Sequence, residues 1–430
     1  MREKVHICLI SDDNYVMPTS TAIRSLIKSK KPDSEYVVHI VASALKEESK
    51  RAFLGLGSEK VELDVVECDP SIFSGLHVFD EKAICVASIS ALFKFLLAEI
   101  FPRIDKLLYI DGDLICREDL SELYATELGG AYAAAVPDSG QIYYRHKYVK
   151  LVKRYINSGV MLLDLKLMRE LGLKDKLIET KRALSDSNLM DQNVFNVVFD
   201  GHLKYLPIRW NFMPVSLWRA DGKWQLEDIN RLFKTDYASI RDIYADSAII
   251  HYSSKDKPWK SPDGAMSYLW REYHQDAKPL TDEERDAYVH FMGSENDSIV
   301  EGAMEKLIRR AVEDRLDLVI FDGDSSSDHL ELAYPGVWNG AELKDKLQAE
   351  KRSMIPTSLM LVRKALLKEH EIAYPELKKP FDKRYFEAVL MAAKRVAVYT
   401  DEVYHRAQPL SERCEEALIA RLARFFRNLV

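Results

Sequence analysis

Two carboxylates stand close together at the end of an apolar run, since residues 107–110 lead directly into Asp111, Gly112 and Asp113. The run has the composition of a buried strand, and Gly112 allows the chain to turn as it leaves a sheet. Ligands bind at the carboxyl ends of strands in open α/β sheets, and no cation adjoins the pair in the sequence. We therefore expect Asp111 and Asp113 to hold a hard divalent metal whose shell is completed by substrate phosphate. The plainer alternative is an ordinary turn, which often has this composition.

A second group of reactive side chains covers residues 251–259, which read His-Tyr-Ser-Ser-Lys-Asp-Lys-Pro-Trp and follow a strand-like segment at 248–250. A neutral His251 could join two carboxylates in a metal shell, and Lys257 could contact a diphosphate as a point charge. A single His at a strand end is more often only a hydrogen-bonded polar residue. The whole arrangement is much rarer than a single His, and it favours the ligand interpretation.

Polar residues also follow the first predicted strand, where Asp12, Asp13, Asn14 and Tyr15 stand in succession. Asp12 and Asn14 could hydrogen-bond the edge of a nucleobase, and Tyr15 could stack on it. The same residues equally suit an N-cap for the next helix. Taken alone, this segment leaves both interpretations open.

Composition limits the class of protein. The chain has 430 residues and a formal net charge of −7, which suggests two domains and argues against a nucleic-acid partner. Its five cysteines never form a Cys-x-x-Cys pair, which fits reduced thiols in a cytosol and no structural zinc. No apolar stretch approaches the length of a membrane span. We therefore expect a cytoplasmic protein that could touch the cytoplasmic face of a membrane without crossing it.

Strand-like and helix-like segments alternate along the first half, which predicts βαβ units and a mostly parallel sheet. The predicted strands are 5–10, 36–41, 61–67, 131–136, 159–163 and 248–250, and the predicted helices are 19–30, 46–56 and an amphipathic segment at 88–100. A polar segment at 276–285 predicts a boundary between domains at 1–278 and 285–430. The second domain repeats the α/β pattern, with a strand at 316–321 and helices at 300–313, 340–350, 357–370 and 382–394.

Together these motifs resemble glycosyltransferase family 8, which includes lipopolysaccharide galactosyl- and glucosyltransferases and glycogenin. The resemblance covers about residues 4–272, and the motifs occur in the expected order. They are the nucleoside-binding opening at Asp12 to Tyr15, the DxD motif at Asp111 to Asp113, the sugar-contacting element at Asn157 to Val160, the element beneath the sugar at Asp191 to Asn193, and the closing signature at His251 to Trp259.

The resemblance implies a GT-A type, Rossmann-like α/β fold with a mixed, mostly parallel sheet and flanking helices, followed by a smaller C-terminal α/β accessory domain. It also implies a retaining, bacterial enzyme of lipopolysaccharide or cell-surface polysaccharide synthesis. Such an enzyme moves galactose or glucose from a UDP-sugar to an oligosaccharide, glycolipid or glycoprotein acceptor. The metal would be Mn²⁺, with Mg²⁺ as the alternative. The implied residues are Asp111, Asp113 and His251 for the metal, Asp12, Asn14, Tyr15, Lys94, Asp111, Asn157, Gly159 and Lys257 for the donor, and Asp191, Gln192 and Lys257 for catalysis.

In the implied mechanism Asp191 holds sugar hydroxyls and the Gln192 carbonyl lies under the anomeric carbon. Three departures from the family pattern matter: Lys94 replaces an Arg, Ser254 replaces a Gly and Asn193 replaces an Asp. Asn193 cannot act as a carboxylate nucleophile, so we expect front-face transfer in which the departing phosphate takes the acceptor proton.

The departures also lend weight to an alternative, a nucleotide-sugar-binding scaffold with little or no turnover. A nucleotidyltransferase is disfavoured because no Gly-rich phosphate loop is visible. Asp138 and residues 143–146 are expected in an acceptor loop, although aromatic loops often only pack.

The C-terminal part contains a second Asp-Gly-Asp at residues 322–324, which we interpret as a solvated loop because no His or Lys signature follows it. Residues 363–406 resemble the acceptor-side half of bacterial glycosyltransferase family 2, without its donor-binding half. The final residues, 415–430, predict an amphipathic helix with basic and aromatic side chains. Docking on the accessory domain is the favoured interpretation of this helix, and peripheral contact with an anionic membrane is the alternative.

Overall fold

The structure is a computed structural model that describes residues 4–76, 89–142, 152, 154–184, 191–214, 226–238, 240–253, 257–261, 264, 266–274, 280–291, 298–299, 303–321, 336–349, 359–372, 383–399 and 404–405. The chain forms two compact units, Met1–Ala277 and Lys278–Val430. Several predicted features lie outside the described residues: the second Asp-Gly-Asp at 322–324, the aromatic run at 143–146, Ser254 and the helix at 415–430.

A seven-stranded sheet forms the centre of the first unit. In chain order, the strands of this unit are β1 (Val5–Ser11), β2 (Tyr36–Ala42), β3 (Val61–Glu67), β4 (Lys106–Ile110), β5 (Leu114–Cys116), β6 (Ala133–Pro137), β7 (Ile156–Asp164), β8 (Leu203–Tyr205) and β9 (Ile249–His251). All except β5 and β9 join the sheet, in the order β3-β2-β1-β4-β7-β6-β8. Only β7 runs antiparallel to its two neighbours, so the predicted mixed, mostly parallel sheet is confirmed.

Helices flank this sheet because its central strands are apolar on both faces, and β2 is buried at every residue. Helix α1 turns one face inward and buries Ala22, Ile23 and Leu26. The α-helices of the unit are α1 (Val16–Ser29), α2 (Glu47–Leu54), α3 (Leu97–Ile100), α4 (Ser121–Tyr124), α5 (Leu165–Glu170), α6 (Leu173–Ala183), α7 (Gln192–Val198), α8 (Leu226–Phe233), α9 (Ile240–Asp246) and α10 (Ser267–His274). Short 3₁₀ turns lie at Pro70–Phe73, Ser139–Ile142 and Ile208–Trp210.

The helix predicted at 88–100 is helical from Ile89 to Ile100, but it is not an amphipathic α-helix. The segment is a 3₁₀ helix, Ile89–Leu96, which continues into α3. Six of its eight residues are buried, including Lys94, so it has no solvent face of the kind an amphipathic helix shows. Packing on both sides of the segment replaces the one-sided burial that the sequence pattern suggested.

Strands β5 and β9 form a separate antiparallel ladder, in which Leu114 pairs with His251. Because β5 begins one residue after Asp113, this pairing brings two motifs that are far apart in the sequence to one place. The Tyr252 N–H also donates to the Asp113 carbonyl at 2.9 Å. The fold therefore places the carboxylates of the first motif beside the imidazole of the last.

The second unit contains a five-stranded mixed sheet and a two-stranded ladder. Its strands are β10 (Tyr288–Phe291), β11 (Ser298–Ile299), β12 (Leu318–Phe321), β13 (Val337–Trp338), β14 (Leu359–Arg363), β15 (Val396–Tyr399) and β16 (Tyr404–His405). The larger sheet has the order β10-β14-β12-β15-β13, and β11 pairs with β16. The accompanying helices are α11 (Asp282–Asp286), α12 (Ala303–Glu313), α13 (Gly340–Ala349), α14 (Lys364–Glu369) and α15 (Lys383–Ala392). This is the predicted smaller α/β arrangement.

The helix predicted at 357–370 is wrong over its first half, because β14 occupies Leu359–Arg363 and only Lys364–Glu369 is helical. Met360, Leu361 and Val362 are each at most 1% exposed, since β14 lies between two other strands with both faces covered. A strand buried on both faces is a continuous apolar run, which periodicity cannot distinguish from a buried helix. Among the helices that the structure describes, none has the length and apolar character needed to span a bilayer.

Candidate active site

The carboxyl end of β4 and the amino-terminal half of β7 bring the first acidic motif into place. The Asp111 N–H donates to the Gly159 carbonyl at 2.8 Å, which continues the ladder between these strands. Glycine is required at position 159, because a Cβ there would lie 2.8 Å from Asp111 Oδ2 and closer still to His251 Cε1. Gly112 is similarly enclosed, since a Cβ would lie 2.5 Å from Thr19 Oγ1 on α1.

Asp111, Asp113 and His251 form a group whose ligand atoms all lie within 4.8 Å of one another. His251 Nε2 is 3.1 Å from Asp113 Oδ1 and 3.7 Å from Asp111 Oδ2. Asp113 Oδ1 is buried and has no hydrogen-bond partner in the structure. A buried carboxylate oxygen without a partner is costly, and a divalent cation bound to oxygen and imidazole would satisfy it. The predicted metal residues are therefore together and chemically fit for Mn²⁺ or Mg²⁺.

Two lysines neutralise these carboxylates, although none adjoins them in the sequence. Lys94 Nζ lies 3.1 Å from Asp111 Oδ1 and 2.8 Å from Asp191 Oδ2, and Lys257 pairs with Asp113 Oδ2. Burial opposes the charge of Lys94, but Asp111 and Asp191 outweigh it and raise the pKa of the ammonium. Burial likewise opposes ionisation of Asp113, but the nearby charge of the Lys257 ammonium lowers the pKa of this carboxyl. The expectation that Asp111 and Asp113 lack a nearby cation is therefore corrected, because the fold brings Lys94 and Lys257 to them.

The predicted sugar-side residues lie next to this group. Asp191 Oδ2 accepts from Lys94 and, at 2.8 Å, from Ser158 Oγ. Gln192 Oε1 accepts from Asn157 Nδ2 at 3.1 Å and from the Ser158 N–H at 3.2 Å. The Gln192 carbonyl is thus already engaged by two donors, so one of them would have to lengthen before this oxygen could face a sugar.

Asp138, expected in an acceptor loop, binds the other end of the Gln192 amide. Its Oδ2 accepts from Gln192 Nε2 at 2.9 Å, and its Oδ1 accepts from the Gly140 N–H at 2.7 Å. Asn193, by contrast, turns inward, where its Oδ1 accepts from the buried Tyr155 hydroxyl. The departure at Asn193 therefore belongs to the packing behind the site.

The three predicted nucleoside-binding residues meet different partners. Asp12 Oδ1 accepts from the N–H groups of Asn14 and Tyr15 at 2.9 and 3.0 Å, which forms a turn just before α1. The N-cap residue of α1 is Tyr15, and it makes no side-chain capping hydrogen bond. The Asn14 side chain is exposed. The Tyr15 hydroxyl donates to Asp113 Oδ2 at 3.4 Å, and its ring meets Trp259 edge-on at 5.7 Å between centroids. Tyr15 and Trp259 thus connect the first motif to the last.

Asn211 is a functional candidate that sequence reasoning missed. It is fully buried, follows the turn at Ile208–Trp210, and hydrogen-bonds both Asn157 and His251. An Asn between Trp and Phe was the available signal, because a buried amide in an apolar context must find polar partners. Nothing in the sequence indicated which partners those would be.

The chain is similar in sequence to known proteins. The model of glycosyl transferase family 8 matches residues 6–263. The chain is 27% identical over 273 residues to a lipopolysaccharide 1,2-glucosyltransferase of Escherichia coli, which covers 60% of this chain and 74% of that protein. It is 24% identical to general stress protein A of Bacillus subtilis, with coverage of 60% and 88%.

Solved structures show the same fold. The galactosyltransferase LgtC, in complex with donor and acceptor sugar analogues, matches with a TM-score of 0.53 and 24% identity over 66% of this chain and 99% of that one. The apo structure of the bifunctional glycosyltransferase WbbM matches with a TM-score of 0.53 and 19% identity over 66% and 51%. The predicted GT-A type fold of the first unit is confirmed by these similarities.

Proposed function

The chain belongs to glycosyl transferase family 8, and from this membership we propose that it transfers a hexose, galactose or glucose, from a UDP-sugar to a saccharide or glycolipid acceptor with retention of anomeric configuration. One observation carries the proposal: Asp111, Asp113 and His251 converge around a buried, unpartnered carboxylate oxygen, and Lys94 joins them to Asp191. The named activity of the Escherichia coli relative supports a hexosyltransferase.

Departure of UDP is the difficult step of such a transfer, because negative charge develops on its β-phosphate. Mn²⁺ held by Asp111, Asp113 and His251 would supply the neutralising charge when bound. Lys257 reaches this place as well, since its ammonium pairs with Asp113 and donates to the Tyr252 carbonyl at 2.7 Å. Loss of a comparable charge-stabilising group typically costs about 100- to 1,000-fold in rate.

The remaining residues position the sugar. Asp191 would accept hydrogen bonds from sugar hydroxyls, and Gln192 would lie under the anomeric carbon. The bond from the anomeric carbon to the phosphate oxygen breaks, the acceptor oxygen bonds to the same face, and the acceptor proton passes to the departing phosphate. Asn193 supports this front-face path, because its amide faces Tyr155 and offers no carboxylate nucleophile.

We propose that residues 285–430 contribute acceptor recognition or membrane placement rather than chemistry. The family match ends at residue 263, before this part begins. Within the described residues, the one group of acidic and imidazole ligands fit for a metal lies in the first unit. A cytoplasmic site of action, on the cytoplasmic face of a membrane, belongs to the same proposal.

The full chain should be assayed for UDP release from a panel of UDP-hexoses with Mn²⁺, with Mg²⁺ and with chelator. We expect metal-dependent release from one donor and an α-linked product by NMR of the anomeric proton. Asp113→Asn should lose about 100-fold or more of this rate while staying folded, since it removes a metal ligand and the partner of Lys257. Asp105→Asn is the matched control, because Asp105 is exposed and contacts Arg169 away from the site.

Two further variants separate the roles in the second motif. Asp191→Ala should lose more activity than Asn193→Ala, because Asp191 faces Lys94 and Ser158 whereas Asn193 faces Tyr155. Donor binding without release of UDP would favour the scaffold alternative. A β-linked product would exclude the retaining mechanism.

A further inference from the structure

We infer that Asn211 is a positioning residue that sets the proton of His251, so that the Nε2 lone pair of this imidazole faces the metal. Asn211 is fully buried and lies between His251 and Asn157. It belongs to none of the motifs that suggested the site. The inference rests on the proposed function, because it deepens the role of His251 as a metal ligand.

A main-chain N–H group fixes the direction of a series of side-chain hydrogen bonds that we call the relay. It runs from Asp138 through Gln192, Asn157 and Asn211 to His251. The Gly159 N–H lies 2.9 Å from Asn157 Oδ1, and because an N–H can only donate, Asn157 must present its carbonyl oxygen there. The same oxygen lies 2.8 Å from Asn211, which must therefore present its NH₂ group. The Asn211 carbonyl oxygen then faces His251 Nδ1 at 2.9 Å.

The other end of Asn157 agrees with this orientation. Its NH₂ group donates to Gln192 Oε1 at 3.1 Å, and that oxygen is itself fixed by the N–H of Ser158. Gln192 then donates to the Asp138 carboxylate, which can only accept. Two backbone N–H groups and one carboxylate thus orient the side-chain amides of the relay, which are those of Gln192, Asn157 and Asn211.

The consequence for His251 is chemical. Because the Asn211 oxygen can only accept, Nδ1 carries the ring proton, and the neutral ring keeps its lone pair on Nε2. This nitrogen lies 3.1 Å from Asp113 Oδ1, the buried oxygen that has no hydrogen-bond partner. Two lone pairs facing each other at this distance repel unless a cation lies between them. The second ring nitrogen of a metal-binding His is usually held in this way, and loss of its partner typically lowers metal affinity about 10- to 100-fold.

Three variants of the full chain test the relay. Asn211→Leu removes both hydrogen bonds, whereas Asn211→Asp keeps an acceptor for His251 Nδ1. Asn196→Leu is the matched control, since Asn196 is also a fully buried Asn, with hydrogen bonds to the main chain of Ile156 and Gln192. Mn²⁺ affinity is measured by electron paramagnetic resonance without any donor. The ring proton is located by ¹H–¹⁵N NMR of ¹⁵N-histidine-labelled, metal-free protein in which the ring is neutral.

We expect the Nδ1–H tautomer in the wild type and in Asn211→Asp. In Asn211→Leu, His251 should shift toward the Nε2–H tautomer, because Asp113 can accept a hydrogen bond from this N–H. The variant should bind Mn²⁺ about 10- to 100-fold more weakly. Asn211→Asp should bind Mn²⁺ more tightly than Asn211→Leu, and Asn196→Leu should match the wild type.

An Nε2–H tautomer in the wild type overturns the inference, as does a folded Asn211→Leu with unchanged tautomer and affinity. If Asn211→Leu does not fold, the inference is still tested by the His251 tautomer in the wild type and in Asn211→Asp, which must be Nδ1–H in both. A wild type that shows the Nδ1–H tautomer but binds no Mn²⁺ would support the relay and contradict the metal part of the proposed function.

Discussion

The contacts of Lys94 show whether its departure from the family pattern leaves the carboxylates of the site without a partner. The family pattern has an Arg at this position, and its replacement by Lys lent weight to the scaffold alternative. In the structure the three ammonium protons meet three acceptors, Asp111 at 3.1 Å, Asp191 at 2.8 Å and the Ser158 carbonyl at 3.4 Å. A compact ammonium suits this small enclosed space. The departure therefore gives no support to the scaffold alternative.

The close approach at Gly159 gives the residue-scale prediction. Gly159→Ala should weaken Mn²⁺ binding about tenfold or more, because the added methyl group would overlap His251 and press on Asp111 Oδ2. Metal binding is measured by titration followed by electron paramagnetic resonance. The matched control is Gly57→Ala, where a Cβ would meet its neighbours at 3.4 Å or more.

This prediction separates two roles of Gly159. If the glycine only contacts the donor sugar, Gly159→Ala would keep wild-type Mn²⁺ affinity and lose only donor binding. If it makes room for His251, the metal affinity falls with no sugar present. Equal affinity of Gly159→Ala and Gly57→Ala would contradict the steric role.

The grouping of Asp111, Asp113 and His251 could be predicted because acidic pairs and a His after apolar runs have few other uses in combination. The orientation of their neighbours could not be predicted. Whether Gln192 presents its oxygen or its NH₂ group is decided by Ser158, Asn157 and Asp138, which converge only in the folded chain. Asn193 faces Tyr155 for the same reason.

At the scale of elements, a ladder of three residue pairs holds the site together. Leu114 to Cys116 pair with Ile249 to His251, and each of these residues is at most 2% exposed. The register follows from burial, because a slip by one residue would turn His251 away from Asp113 and an apolar side chain toward it. The short strand β5 was absent from the sequence-based prediction, since three apolar residues carry no measurable period.

The other element-scale errors share a cause. The segment Ile89–Leu96 and strand β14 are both buried on more than one side, so their sequences lack the alternation that reveals an exposed face. Elements with one exposed face were predicted correctly, as α1 and α2 show. Buried strands such as β1 and β2 were also predicted correctly, because their short runs rich in β-branched residues are typical of strands.

The contact between α13 and α15 gives the element-scale prediction. Gly340 donates to the Ala393 carbonyl at 3.0 Å, and a Cβ there would overlap the Leu390 carbonyl oxygen. Gly340→Ala should therefore lower the free energy of unfolding of the second unit by about 1–3 kcal/mol. Ala341→Ser, at the half-buried next position, should change it by less than about 0.5 kcal/mol.

Urea unfolding, followed by hydrogen exchange of the amides of β14 and β15, resolves the second unit from the first. We expect faster exchange in these strands and unchanged exchange in β1 and β2. A variant as stable as the wild type would show that the two helices can move apart without cost.

At the scale of the whole molecule, the two units differ in what they offer for chemistry. The first carries the family match and the group around Asp113. The second has its own sheet and its own apolar core, which includes Leu318, Phe386 and Val396. A core of this kind is what an independently folding domain requires. Each unit should therefore retain its fold when the other is removed.

The last prediction follows from this division. A truncated chain ending at Ala277 should still release UDP from its donor slowly, because the proposed catalytic residues all precede that point. It should lose most of its transfer to the saccharide or glycolipid acceptor found with the full chain. In the full chain, Asp322→Ala combined with Asp324→Ala should leave metal-dependent UDP release unchanged. Loss of UDP release in that double variant, with the fold retained, would show that the second Asp-Gly-Asp takes part in the reaction and that chemistry is not confined to the first unit.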